Sequence, residues 1–248
     1  MALREELCKQ GSWLFRWRSY LPLLLLPLLI LGLGNSEVLG ETAGDVADGF
    51  WEVFCVVLSF LGLGIRCLTI GYVPKGTSGR NTRAQKASTL NTTGMYSVVR
   101  NPLYLGNFMV TLGIILFAEP WLYFLIAVLA FWFYYERIVF AEEEFLRSEF
   151  GPPFLEWAEK TPAFLPRLKN WQQGDLSFSF RNVLKREYTG FLGIIASFTF
   201  LKIAGALFSE GKLQLDRAWA TFFIIGLVIY LTLRTLRKKT SMLDVAGR

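Results

Sequence analysis

Six stretches of this chain are apolar over lengths that can cross a bilayer, and no other feature limits its fold so tightly. They fall at about residues 13–34, 50–72, 102–118, 120–140, 190–208 and 217–236. A spanning helix needs about 20 apolar residues, or fewer with interfacial flanks. Of the 248 residues 53% are hydrophobic, too many for an ordinary soluble domain, and the length suits one membrane domain rather than several. The expected fold is all-α, a polytopic membrane protein of about six transmembrane helices. The first stretch is the weakest: its uninterrupted apolar run is short, it carries Pro22 and Pro27, and basic residues precede it as they precede a secretory signal. Spanning and cleavage both stay open for it, and neither alters the orientation of the rest.

The placement of Lys and Arg sets that orientation. Arg4, Lys9, Arg16 and Arg18 precede the first stretch, whereas Glu37, Glu41, Asp45 and Asp48 follow it without a positive charge. The next loop holds Lys75, Arg80, Arg83, Lys86 and Arg100, and the turn at Glu119-Pro120 is minimal. Arg147, Lys160, Arg167, Lys169, Arg181, Lys185 and Arg186 lie in the following long segment, and Arg237, Lys238 and Lys239 close the last span. The alternation puts both termini in the cytoplasm. The net charge of +6 is thus mainly a topology signal and only secondarily a hint of anionic lipid headgroups; no nucleic-acid partner is needed to explain it. Because the outer loops are short, the functional site is expected at the cytoplasmic interface, of the inner membrane in a bacterium or of the endoplasmic reticulum in a eukaryote.

Histidine is absent, which removes the usual proton shuttle and the commonest metal ligand. Cys55 and Cys67 lie about 18 Å apart along one helix, too far to pair, and with Cys8 they form no CxxC spacing. No metal site is expected, and catalysis must use carboxylates, arginines, tyrosines or backbone.

Two constellations carry chemistry. In the first, Asn101-Pro102 is a helix start, since Asn caps freely and Pro at the first helical position loses no hydrogen bond. The first-turn N–H groups beside Arg100 would then make an anion site. Gly106 and Gly113 share a face of this helix, which admits either a ligand or the close packing of a neighbouring helix. In the second, an aromatic fourth helix continues without a breaker through Glu136 to Phe150, where Gly151-Pro152-Pro153 stops it. Its about thirty residues make about 45 Å of helix against a hydrocarbon core of about 30 Å, so its last turns leave the core. Glu142, Glu143 and Glu144 point about 100° apart, so at least one must turn toward the protein, where it could take ribose hydroxyls or face a cationic cofactor. A Glu143–Arg147 pair on a solvated helix end is the plainer alternative. Glu136 and Arg137 lie deeper, where ionisable groups are usually paired or functional.

Taken together, Ser88-Thr89-Leu90-Asn91-Thr92-Thr93-Gly94-Met95-Tyr96 with Arg100-Asn101-Pro102-Leu103-Tyr104-Leu105-Gly106, and Glu142-Glu143-x-x-Leu146 ending in Phe150-Gly151, resemble the cofactor motif of isoprenylcysteine carboxyl methyltransferases and related phospholipid methyltransferases. The resemblance covers about residues 50–170. It implies an S-adenosyl-L-methionine site lined by Leu90, Tyr96, Arg100, Asn101, Pro102, Tyr104 and Gly106, with Glu142 and Glu143 on the cofactor. It also puts Arg137 near the position where the family uses an arginine on the acceptor, one residue out of register. The family often has histidine where Ser88 and Asn101 stand, so contacts there fall to a hydroxyl, an amide or backbone. Residues 1–49 are then an N-terminal membrane segment with its outer loop, 50–170 the methyltransferase core, and 171–248 a two-helix extension that could hold lipid or a second subunit.

Methyl transfer from a sulfonium is an in-line displacement, in which the enzyme aligns the partners and excludes water. A carboxylate or phosphate acceptor, such as a prenylated carboxylate or the phosphate of lipid A, is already ionised and needs no base. Histidine can therefore be missing. A protonated amine would need one, and Glu136 or a neighbouring glutamate would have to serve. Two other readings stay open: a sterol-reductase-like membrane oxidoreductase using NADPH, with a similar Asn/His-Pro-x-Tyr-x-Gly pattern, and a non-catalytic lipid-binding protein. The oligomeric state is not legible.

Overall fold

A computed structural model describes residues 2–18, 20, 24, 27, 29–30, 45–74, 87–118, 121–174 and 176–248. The expected acidic loop residues Glu37 and Glu41, the basic residues Lys75, Arg80, Arg83 and Lys86, Pro22 and the turn Glu119-Pro120 lie outside the described residues. Within them the chain is helical, with an isolated bridge between Gly94 and Gln172 as its β pairing. The helices are α1 (Leu3–Trp17), α2 (Asp45–Tyr72), α3 (Met95–Val98), α4 (Pro102–Phe117), α5 (Trp121–Phe150), α6 (Pro152–Lys160), α7 (Phe180–Glu210) and α8 (Arg217–Lys239). A short 3-10 turn, Leu168–Asn170, lies between α6 and α7.

Four of these, α2, α5, α7 and α8, are long and apolar enough to cross a membrane. Two expectations change. The segment expected as the third span is a helix of 16 residues, about 24 Å long, which falls short of a hydrocarbon core of about 30 Å. Its start is fixed by Pro102, and the residues before it form the separate short helix α3 and its flanking loops instead of extending the helix. The first expected span, 13–34, overlaps α1 only at residues 13–17, and most of its remainder lies outside the described residues. α1 packs along the second half of α5: Arg4 pairs with Glu144, the Arg137 Nε donates to Gln10 at 3.0 Å, and Gly11 sits against the Arg137 carbonyl.

Glycine brings α2 and α4 together. A Cβ on Gly106 would lie 2.7 Å from the Gly62 carbonyl oxygen, and one on Gly62 would lie 2.8 Å from the Val110 nitrogen. Gly113 faces the Cys55 carbonyl and Ser59, whose hydroxyl donates to the Val110 carbonyl at 2.9 Å. Such backbone-to-backbone approach suits lipid, where helices associate through close packing. Beyond it, Cys55, Leu63, Ile115, Phe117, Ile194, Phe198 and Leu201 form a buried core shared by α2, α4 and α7. α8 closes on α7 through Gly226, where a Cβ would meet Ile195 at 2.5 Å, and turns Ile224, Ile225 and Val228 outward.

The helices α2, α4, α5, α7 and α8 run in alternating directions. At one end Glu52 of α2 meets Lys202 of α7 at 2.6 Å and Trp219 of α8 at 3.4 Å, beside the end of α4, where Trp51 donates to the Leu116 carbonyl at 3.2 Å. At the other end the close of α2, the starts of α4 and α7 and the glutamates of α5 gather. The Asn182 amide of α7 donates to the Ile70 carbonyl at 2.9 Å, and the Arg248 Nη1 reaches the Gly71 carbonyl at 2.6 Å. The candidate site lies at this second end. Cys8, Cys55 and Cys67 are free.

Candidate active site

The loop before α4 is held by the chain that follows α6. The Arg100 N–H donates to the Pro162 carbonyl at 2.9 Å, Arg167 N–H to Val98 at 3.0 Å and Gly94 N–H to Gln172 at 2.8 Å. The Trp157 indole donates to the Tyr96 carbonyl at 3.0 Å, and Gln172 N–H to the Ser97 hydroxyl at 2.9 Å. Gly94 sits at φ 59°, in the left-handed region that glycine occupies without steric cost. Residues 94–101 are thereby pinned on both sides, and Tyr96, Arg100 and Pro102 take fixed positions.

Asn101 does not cap α4, contrary to expectation. Its side chain makes no cap hydrogen bond; its amide instead donates to the Ala163 carbonyl at 3.2 Å. The strap 161–167 passes over the helix start and takes the Asn101 amide N–H, and the Asn101 backbone, at φ −122° and ψ 58°, is not in the extended conformation of a usual cap.

The three glutamates of α5 separate as their 100° spacing requires. Glu142 lies beside Tyr104: one Arg18 nitrogen, Nη1, is 3.4 Å from the Tyr104 hydroxyl and 3.6 Å from the Glu142 carboxylate. Glu143 turns to Arg100 at 3.0 Å. Glu144 faces Arg4 and, at 3.6 Å, Arg147. The Glu143–Arg147 pair weighed from sequence is thus replaced: Arg147 goes to Glu144, and Glu143 goes inward. Asn101 lies close to the Glu143 carboxylate, yet Glu143 Oε1 and Arg100 Nε are buried without a partner, as is the Tyr134 hydroxyl. Unpaired buried polar atoms are rare because each costs about 1–3 kcal/mol, so two on one ion pair mark a place that ligand atoms can complete.

The Tyr104 ring packs at a 58° tilt against Tyr135, with centroids 4.7 Å apart. Burial pushes the Tyr96 phenol well above its ordinary range; the Glu142 charge adds to this, while Arg186 and Arg66 oppose it. These groups therefore share one neighbourhood. It is walled by Tyr96, Tyr104, Arg100, Glu142 and Glu143 from the two motif halves, with Arg18, Arg66 and Arg186 beside them.

The remaining sequence candidates sit elsewhere. Leu90 is a half-buried loop residue. Gly106 gives its open face to Gly62 and to Arg66, whose Cγ would lie 2.6 Å from an added Cβ. Arg137 holds α1 and its own helix, donating to Gln10 and to the Phe133 carbonyl at 3.1 Å, and Glu136 is exposed. The two lie about 7.5 and 9 Å along the helix from Glu142, and the structure does not join them to it. Sequence reasoning missed Arg18, Asn107, Tyr135 and Glu187. Arg66 carried a signal that went unused: it is a charge inside an apolar span, where a partner or a role is the default. Among the described residues no group of three or more Cys, Asp or Glu could hold a metal ion.

Residues 51–152 match the model of the phospholipid methyltransferase family. The protein-S-isoprenylcysteine O-methyltransferase of Schizosaccharomyces pombe is 30% identical over 112 residues, 44% of this chain and 48% of that one. The chain belongs to the isoprenylcysteine carboxyl and phospholipid methyltransferase family. It is accordingly an integral membrane protein of a methyltransferase family. Two further relatives share the sequence. The cobalt-zinc-cadmium resistance protein CzcN of Cupriavidus metallidurans is 35% identical over 171 residues, 64% of this chain and 74% of that one. The nickel-cobalt-cadmium resistance protein NccN of Alcaligenes xylosoxydans xylosoxydans is 32% identical over 118 residues, 48% of this chain and 55% of that one. The chain thus spans about half the length of NccN and of the isoprenylcysteine enzyme. No solved structure matches it. The family match contains Arg66, Tyr104, Asn107, Tyr135, Glu142 and Glu143, whereas Arg18, Arg186 and Glu187 lie outside it.

Proposed function

We propose that this protein is an S-adenosyl-L-methionine-dependent methyltransferase that methylates a carboxylate or phosphate on a membrane lipid or lipidated substrate, with its site on the cytoplasmic face. The observation that carries the reading is the half-buried Arg100–Glu143 pair, which keeps one buried donor and one buried acceptor spare, beside Glu142 and Tyr104. The cofactor has a carboxylate, an amine, ribose hydroxyls and a sulfonium. Arg100 Nε offers a donor to the carboxylate, Glu143 Oε1 an acceptor to the amine or a ribose hydroxyl, and the Glu142 carboxylate a counter-charge to the cation. The donor set therefore fits. When bound, the cofactor supplies the electrophilic methyl group.

The chain's own residues orient and exclude water. Tyr96 and Tyr104 present half-buried aromatic faces, and the strap 161–172 closes the loop that holds Arg100. An acidic acceptor arrives ionised, so no proton has to move, which agrees with a chain that has no histidine. The cytoplasmic assignment rests on the charge alternation, since the site shares its end of the bundle with Lys169, Arg181 and Lys185. In this reading 50–170 is the catalytic core and 171–248 an extension that forms part of its wall.

The test uses membranes containing the protein and methyl-labelled S-adenosyl-L-methionine. Label should enter the lipid fraction, and mild alkali should release it as methanol from a carboxyl ester but leave it on a phosphate ester. Labelling no greater than with Glu142→Gln membranes would overturn the proposal.

A further inference from the structure

We infer that Glu187, in the two-helix extension, is a positioning residue of the methyltransfer site, acting through Arg66, Asn107 and Tyr135 on Tyr104. The inference rests on the function proposed above. Glu187 is 5% exposed and takes Arg66 in a two-pronged pair, Nε to Oε2 and Nη2 to Oε1, both at 2.8 Å. Planar pairing of this kind fixes direction as well as distance. The remaining donor of Arg66, Nη1, reaches Asn107 Oδ1 at 2.6 Å. The other end of the same amide, Nδ2, donates to the Tyr135 hydroxyl at 3.1 Å. Both ends of Asn107 are thereby committed, and its orientation is set. The Tyr135 ring in turn packs at a tilt against Tyr104, centroids 4.7 Å apart, and Arg18 Nη1 lies 3.4 Å from the Tyr104 hydroxyl and 3.6 Å from Glu142.

A charge within an apolar helix needs a partner, so a clamp holding α7 on α2 would account for Arg66 and Glu187 alone. Three observations go further. The chain of bonds does not stop at the pair but continues through Asn107 of α4 to the Tyr135 hydroxyl, whose ring touches Tyr104 of the site. Gly106 leaves the space that the Arg66 side chain occupies beside Asn107. The Tyr96 phenol feels Arg66 and Arg186 together with Glu142. A residue beyond the family match therefore orients residues within it.

The full-length protein in nanodiscs is titrated with S-adenosylhomocysteine, alongside Glu187→Gln, Tyr135→Phe, Tyr104→Phe and the Glu187→Gln/Tyr104→Phe double variant. Loss of one charge-assisted link predicts affinity about tenfold weaker for Glu187→Gln, with a smaller loss of about threefold for Tyr135→Phe. The double variant should bind no more weakly than the weaker of its two parents, because both changes cut one path. Unchanged affinity in Glu187→Gln and Tyr135→Phe overturns the inference, as do losses that multiply in the double variant, the signature of separate structural effects. If Glu187→Gln does not fold, Tyr135→Phe and its double with Tyr104→Phe decide by the same criteria. A wild-type protein that binds no S-adenosylhomocysteine instead sinks the proposed function.

Discussion

Two polar clusters stand at opposite ends of the bundle and differ in how completely they are satisfied. At one end Glu52 has a partner for each oxygen, Lys202 at 2.6 Å and the Trp219 indole at 3.4 Å. At the other end Glu143 and Arg100 meet at 3.0 Å yet each leaves a buried atom without a partner. Both sets contain a carboxylate, a cation and aromatic neighbours, so residue type alone does not separate them. Closed bonding is what a helix clamp needs; open bonding persists where something else binds. Sites in the second cluster should therefore alter ligand binding more than stability, and sites in the first the reverse.

The largest effect expected is on binding. Glu142→Gln should weaken S-adenosylhomocysteine affinity by about 30-fold, about 2 kcal/mol, with a melting temperature close to the parent; calorimetric titration and a thermal scan check both halves. Next comes packing. Gly113→Ala places a methyl against Ser59 and the Cys55 carbonyl and should cost about 2 kcal/mol, read as a lower melting temperature with intact affinity in the folded fraction. Lys202→Met strands the half-buried Glu52 and should destabilise by about 1–2 kcal/mol, largely restored by adding Glu52→Gln; a change in cofactor affinity here would erase the contrast between the ends. Smallest of all, Arg4→Ala removes an exposed partner of Glu144 and should leave affinity and melting temperature unchanged.

Much of the fold was legible because it follows from local rules. Long apolar runs gave α2, α5, α7 and α8, Pro102 marked the start of α4, and the helical angle between neighbours forced Glu142, Glu143 and Glu144 apart. What stayed hidden depends on distant partners. Arg66 and Glu187 are 121 positions apart, and no periodicity links them. Asn101 read as a cap because the local pattern is a good one; in the fold its amide N–H instead meets the strap carbonyl of Ala163, 62 positions away. Arg137 read as a deep functional arginine because it lies further into the apolar run of α5 than the glutamates, but α1 was expected to begin a span, so its contact through Gln10 and Gly11 had no place in the reading. The motif halves around Tyr104 and Glu142 were visible as residues, whereas the unpaired atoms of Arg100 and Glu143 exist only in three dimensions.

The central claim is that the open cluster holds S-adenosyl-L-methionine. Calorimetric titration of the purified protein with S-adenosylhomocysteine and, separately, with NADPH tests it most directly. The account predicts saturable heat from the first ligand, lost in Glu142→Gln, and none from the second. Heat from NADPH alone, or S-adenosylhomocysteine binding unaffected by Glu142→Gln, would contradict it.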